Sequence, residues 1–153
     1  MLKNQIVWIH GDALNSESSL LRENLETPAI FVFDDVLLRE YSISLKRLTF
    51  IYECLLEMPV IIRRGDVVQE VLHFLKQQGA TGVETVYSPS PRFAEIVKRL
   101  EREVDELRIY HPPAFSENRA YDLRRFSRYW KKAKASALRP TVLHGLQEYY
   151  NQH

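Results

Sequence analysis

The chain has 153 residues, 45% of them hydrophobic and 27% charged, a composition typical of one globular domain and not of a disordered chain. Its only cysteine, Cys54, excludes an internal disulfide, and no apolar run reaches the roughly 18 residues that span a bilayer. Because the N-terminus enters a strand-like run without the features of a signal peptide, we expect a cytoplasmic protein.

Short apolar runs alternate with segments of helical period along most of the chain. The runs predict strands at residues 6–9, 29–33, 60–62, 83–87 and 107–110. Apolar residues spaced three or four apart predict helices at 45–56, 68–75 and 93–100. This alternation favours βαβ units and an α/β fold with a parallel sheet covered by helices on both faces. We expect its core to contain Trp8, Phe31, Phe33 and Ile61.

The pattern changes near residue 115, so we predict an α/β domain at 1–115 and a helical region at 116–153 packed on it. That region begins with a basic amphipathic helix and ends with a short helix bearing Leu143, Leu146 and Tyr150. The apolar stripe of the basic helix consists of Leu123, Phe126, Tyr129, Trp130 and Ala133.

Positive charge is concentrated on this basic helix. Eight basic residues and one acid between Arg119 and Arg139 give a local net charge of +7, so the remainder carries −6. The alternatives are a solvated face, a nucleic-acid contact and a contact with an acidic protein surface. We place the acidic protein above nucleic acid because the acidic remainder repels phosphates. The partner-binding candidates are Arg124, Arg125, Arg128, Lys131, Lys132 and Lys134.

The strand ends are the places to search for a ligand site, since ligands of open parallel sheets bind beyond the carboxyl ends of the strands. The first strand runs into His10-Gly11-Asp12, the second into Asp34, and the fourth into Ser88. Turns of this kind could hold a phosphate or a planar heterocycle, or be ordinary turns and helix caps. No nucleotide-binding, nucleophile-elbow or metal-ligand motif is present, so we expect neither catalytic residues nor a metal site.

The motifs, taken in order, resemble the N-terminal α/β domain of the DNA photolyase and cryptochrome family. The segments that carry the resemblance are Val7-Trp8-Ile9-His10-Gly11-Asp12, Ile30-Phe31-Val32-Phe33-Asp34, the helix from Lys46 to Leu55, Val60 to Asp66, and Ala120 to Trp130. The resemblance implies a Rossmann-like fold whose five parallel strands have the order 3-2-1-4-5. In that family this domain holds an antenna chromophore, and a separate helical domain holds the catalytic FAD.

The resemblance also implies a cofactor class and site residues. The chromophore would be a flavin, a deazaflavin or a folate, and the ligand-binding candidates are His10, Gly11, Asp12, Asp34, Arg47 and Ser88. Asp12, Asp34 and Arg47 match the family best, whereas residues 13–18 differ from its L-R-x-x-D-N pattern. We therefore expect first a non-catalytic adaptor that docks on an acidic protein. The alternatives are a small-molecule binding protein for a flavin, deazaflavin, folate or adenine nucleotide, and the antenna subunit of a split photolyase.

Overall fold

The computed structural model describes residues 4–14, 26–112 and 124–138. The chain divides into two compact units, Met1–Pro112 and Pro113–His153. The short helix predicted around Leu143 to Tyr150 lies outside the described residues, as does Leu123. The packing of the second unit on the first stays a prediction.

The first unit is built on five parallel strands: β1 (Gln5–Ile9), β2 (Ala29–Asp34), β3 (Val60–Gly65), β4 (Gly82–Val86) and β5 (Glu106–Tyr110). Their order in the sheet is β3-β2-β1-β4-β5, which confirms the predicted Rossmann-like topology. The first strand is central, with Trp8 paired to Ile30 on one side and to Thr85 on the other.

Within the described residues, four α-helices connect the strands: α1 (Asp35–Glu40), α2 (Leu45–Leu56), α3 (Val67–Gln77) and α4 (Pro91–Leu100). A short 3-10 turn, Gly11–Ala13, follows β1. Side chains cap several helices: Asp34 accepts from the Val36 amide, and Asp66 from the Gln69 amide. The apolar periodicity predicted α2, α3 and α4, but not α1, whose six residues make fewer than two turns.

Apolar side chains cover both faces of the sheet. On one face Ile6, Trp8 and Ile30 pack with side chains of α3 and α4, including Phe74 and Phe93. On the other face Val7, Ile9 and Phe31 pack with Leu55 of α2 and with Met58. The nearly continuous apolar composition of β1 and β2 is thereby explained, because strands of a parallel sheet are buried on both sides.

The predicted core is correct at Trp8 and Phe31, correct only in part at Phe33, and wrong at Ile61. Trp8 and Phe31 are buried, and Phe33 is half-buried. Ile61 is 51% exposed, contrary to the prediction. The reason is that β3 is the outermost strand of the sheet within the described residues, so that Ile61 has a neighbouring strand on one side only.

The second unit contains one described helix, α5 (Phe126–Ala137). Ala133 is buried, Tyr129 and Trp130 are half-buried, and Phe126 is 71% exposed although its ring stacks on Trp130. The predicted apolar stripe is therefore covered only in part. No helix in the described residues combines the length and apolarity needed to cross a bilayer.

Candidate functional site

A cavity of about 530 Å³ opens at the carboxyl edge of the sheet. It has the size of sites that take small organic ligands, roughly 300–1,000 Å³. All six residues predicted as ligand contacts line it: His10, Gly11, Asp12, Asp34, Arg47 and Ser88. The structure therefore brings the candidate residues together, and their role in binding stays a prediction.

The position of this cavity follows from the strand order. The chain leaves β1 toward β2 on one side and later returns, as β4, on the other side of β1. The connections beyond β1 and β4 therefore diverge and leave a crevice between them, which is where ligands of doubly wound sheets bind. Gly11 and Asp12 follow β1, and Ser88 and Ser90 follow β4, so both connections reach the cavity.

His10 is held on this edge as a neutral imidazole. Its Nε2 lies 2.8 Å from the carbonyl oxygen of Val86, which can only accept, so Nε2 carries the proton and donates. Its Nδ1 accepts from the amide of Asp12. Burial lowers the pKa of His10 below 6.5, although the Val86 hydrogen bond and the nearby Asp12 carboxylate act in the opposite direction. The ring is therefore a fixed part of the wall near pH 7.

A second contact ties the loop after β1 to the loop after β4. The Ser88 hydroxyl donates to the Asp12 carboxylate over 2.5 Å and accepts from the Ser90 amide over 3.1 Å. Ser88 is buried while Asp12 is exposed, so one carboxylate oxygen is anchored and the group still faces the opening.

Between His10 and Asp12, a Cβ added to Gly11 would meet no atom within 4 Å. Contacts within the protein therefore do not require glycine at this position.

Asp34 is engaged in a buried ion pair. The Arg92 guanidinium donates from Nε to one Asp34 oxygen over 2.7 Å and from a terminal nitrogen to the other over 3.2 Å. Side-chain exposure is 11% for Arg92 and 4% for Asp34. The hydrogen bond from Arg92 to Asp34 is the main reason that the pKa of Arg92 is raised, although burial opposes it. Asp34 therefore shapes the cavity, and Arg92 neutralises its charge.

Sequence reasoning missed Arg92 as a cavity residue. The position of Arg92 in the sequence could have indicated its role. It lies in the first turn of α4, where the helix dipole disfavours a cation. An arginine there indicates a carboxylate partner nearby, and the end of β2 supplies it.

The remaining walls are mostly apolar. On one side Trp8 stacks on Phe93 at 5.6 Å between ring centroids, and His10 lies 5.1 Å from the same ring. On the other side α1, the loop after it and α2 contribute side chains that the sequence analysis did not assign to a site: Leu37, Leu38, Tyr41, Ile43, Leu48 and Ile51. Ser42 in this loop has a φ of 45°, a left-handed conformation uncommon for residues other than glycine. Arg47 is exposed at the rim and brings a cation to the opening.

The basic candidates lie on the second unit. Arg124 and Arg125 precede α5, and the others follow along it; all six are exposed: Arg124, Arg125, Arg128, Lys131, Lys132 and Lys134. Within the described residues no group of three or more His, Cys, Asp and Glu side chains could hold a metal ion.

The fold and the cavity define a Rossmann-like α/β protein with a crevice at the carboxyl edge of its sheet. Neither a family model nor a curated protein matches the chain. The resemblance to photolyases therefore rests on the motifs alone and stays a prediction.

Proposed function

We propose that this protein binds a small, partly planar organic molecule at the carboxyl edge of its sheet. The ligand classes that we favour are flavins, deazaflavins, folates and adenine nucleotides. The observation that supports this proposal is that one cavity of ligand size is lined by all six candidate residues. From the sequence alone we favoured the adaptor function, and this cavity reverses that order.

The composition of the cavity suits such ligands. Aromatic and aliphatic side chains form most of its wall, including Trp8, Phe31 and Phe93, and flat heterocycles gain most from apolar contact of this kind. Asp12 offers a carboxylate that can accept from ring N–H groups, and Arg47 offers a cation for a phosphate or carboxylate tail. Each favoured class combines a heterocycle with an anionic tail or phosphate.

We infer binding rather than catalysis from the state of the polar groups. The Ser88 hydroxyl already donates to Asp12, and both ring nitrogens of His10 are engaged with the backbone. A general base or nucleophile needs a lone pair or proton aimed at the reacting atom. These groups instead fix the shape of the cavity.

The first experiment is an absorption spectrum and a mass spectrum of gently purified protein, followed by titration with FMN, a deazaflavin, folate and ADP. We expect a bound chromophore, or a dissociation constant in the micromolar range or below for at least one ligand. Arg47→Met should weaken binding of an anionic ligand by about tenfold, the loss of one charge-assisted contact. Asp12→Asn should weaken a ligand that donates to the carboxylate.

The matched control is Arg102→Met, an exposed arginine in the turn after α4, at the opposite edge of the sheet. This variant should bind as the wild type does. Protein that purifies without a ligand and binds none of the four at about 1 mM would contradict the proposal.

A second candidate is an adaptor that docks on an acidic protein through the six exposed basic residues around α5. A charge reversal at Arg124, Arg128 and Lys132 should then abolish a salt-sensitive capture from extract. Capture of the same proteins by both forms, or loss of everything on nuclease treatment, would oppose this function. The third alternative, an antenna subunit of a split photolyase, requires both a bound chromophore and a captured FAD protein.

A further inference from the structure

Helix α2 carries an exposed apolar stripe next to its buried side. Leu45 is 78% exposed, Tyr52 48% and Leu56 64%, and the exposed Thr49 lies between them. The successive spacings of four, three and four residues place these side chains on one line along the helix, as in the seam of a coiled coil. The residues that turn toward the sheet domain form the neighbouring face: Leu48, Ile51 and Leu55.

The charges beside this stripe are arranged against the preference of an isolated helix. Lys46 lies in the first turn, and Glu53 lies in the second half, with no acid in the first turn and no basic residue in the last. The helix dipole favours the opposite order. Neither charge has an opposite partner three or four residues away within α2. The local sequence therefore gives no intramolecular reason for this order.

We propose that the stripe of α2 binds the same stripe of a second copy of this chain, with the two helices antiparallel across a two-fold axis. In this arrangement Leu45 packs against the partner's Leu56, and Thr49 packs against the partner's Tyr52. In an antiparallel pair of helices, residues on the same side of the contact stripe face each other. Lys46 therefore meets the partner's Glu53, and the two-fold axis creates this ion pair twice. The order of charges along α2 is unfavourable for the dipole of a single helix, but it is complementary between the two antiparallel helices of the dimer.

A second copy fits this surface because the surface is complementary to itself. A two-fold interface places the same patch of both subunits in contact, so each feature must find its complement within one patch. The basic first half and the acidic second half of α2 meet that condition, as do the leucines at its two ends. A helix of this length spans about 18 Å. The interface therefore lies at the small end of the range, below about 1,200 Å² in total, and the dimer is weak and concentration-dependent.

The experiment is analytical ultracentrifugation of the full chain from about 1 µM to about 1 mM, with a charge-exchange series. We expect a reversible dimer. Lys46→Glu and Glu53→Lys should each weaken it roughly tenfold, because each creates two like-charge contacts, and the double exchange should restore it. Lys98→Glu on α4 is the control and should change nothing. All the substituted residues are exposed, and thermal unfolding checks that each variant is folded.

Cysteine crosslinking tests the orientation of the helices in a Cys54→Ser background. The pair Leu45→Cys and Leu56→Cys should crosslink two copies, whereas either cysteine alone should not. A monomer throughout the concentration range overturns the proposal. It is also overturned by a dimer that ignores the charge exchanges, or by crosslinking through Leu45→Cys alone, which indicates a parallel pair.

Discussion

The buried ion pair between Arg92 and Asp34 gives the sharpest stability prediction. Replacing Arg92 by methionine keeps an unbranched apolar stem and leaves the Asp34 carboxylate, 4% exposed, without its two guanidinium hydrogen bonds. Removing one partner of a buried pair costs about 3–5 kcal/mol. Asp34 keeps its hydrogen bond from the Val36 amide, which offsets part of this cost, so we expect a loss of about 2–4 kcal/mol.

The assay is urea unfolding followed by circular dichroism, with Arg64→Met as the matched control. Arg64 donates to Asp35 over 2.8 Å, but its side chain is 69% exposed, so its loss should cost less than about 1 kcal/mol. Adding Asp34→Asn to Arg92→Met should recover part of the loss, because the uncompensated charge is removed. Equal effects of Arg92→Met and Arg64→Met would refute the reasoning that burial determines the contribution of the pair.

Three further predictions concern the edge of the sheet and its helices. The pKa of His10 is lowered, mainly by burial, so the unfolded chain binds more protons than the folded chain below pH 6.5. The free energy of unfolding should therefore fall as the pH drops below that value. His10→Gln should flatten this dependence between about pH 5 and 7.5. Gly65→Ala should destabilise the fold by about 1–3 kcal/mol, because Gly65 has a φ of 153° and a Cβ there would lie 3.3 Å from Glu70 Cγ. As the control, Gly11→Ala should leave the stability in thermal melts nearly unchanged. Asp66→Ala should cost about 1–2 kcal/mol in chemical denaturation, because it removes both the cap of α3 and the Arg99 ion pair, and Asp66→Asn should retain part of the cap.

The parallel sheet could be predicted because its signals are local. Each strand is a short apolar run, each long helix has a clear period, and the connections between parallel strands have a fixed hand. The ends of β1, β2 and β4 then indicated where a site would lie. Asp12 and Ser88 are 76 positions apart in sequence and meet in a hydrogen bond because both follow neighbouring strands.

The remainder depended on three-dimensional packing that no local pattern specifies. Ile61 has the same residue type as the buried Ile30 opposite it, and only its place at the sheet margin leaves it exposed. The apolar wall from α1 was missed because six residues are too few to establish a period. Arg92 could be read as one more exposed charge until the fold placed Asp34 within 2.7 Å of it.

The position of β3 at the end of the described sheet order also bears on the tendency to aggregate. Val60-Ile61-Ile62 is a β-branched run of the kind that nucleates cross-β stacking, and Ile61 is exposed on it. Arg63 and Arg64 follow at once, and charged residues on a marginal strand oppose the addition of further strands. Gly65, whose φ is positive, is the last residue of β3. We expect the two arginines to act as gatekeepers, so replacing both with neutral residues should shorten the time to aggregation even where the fold is retained.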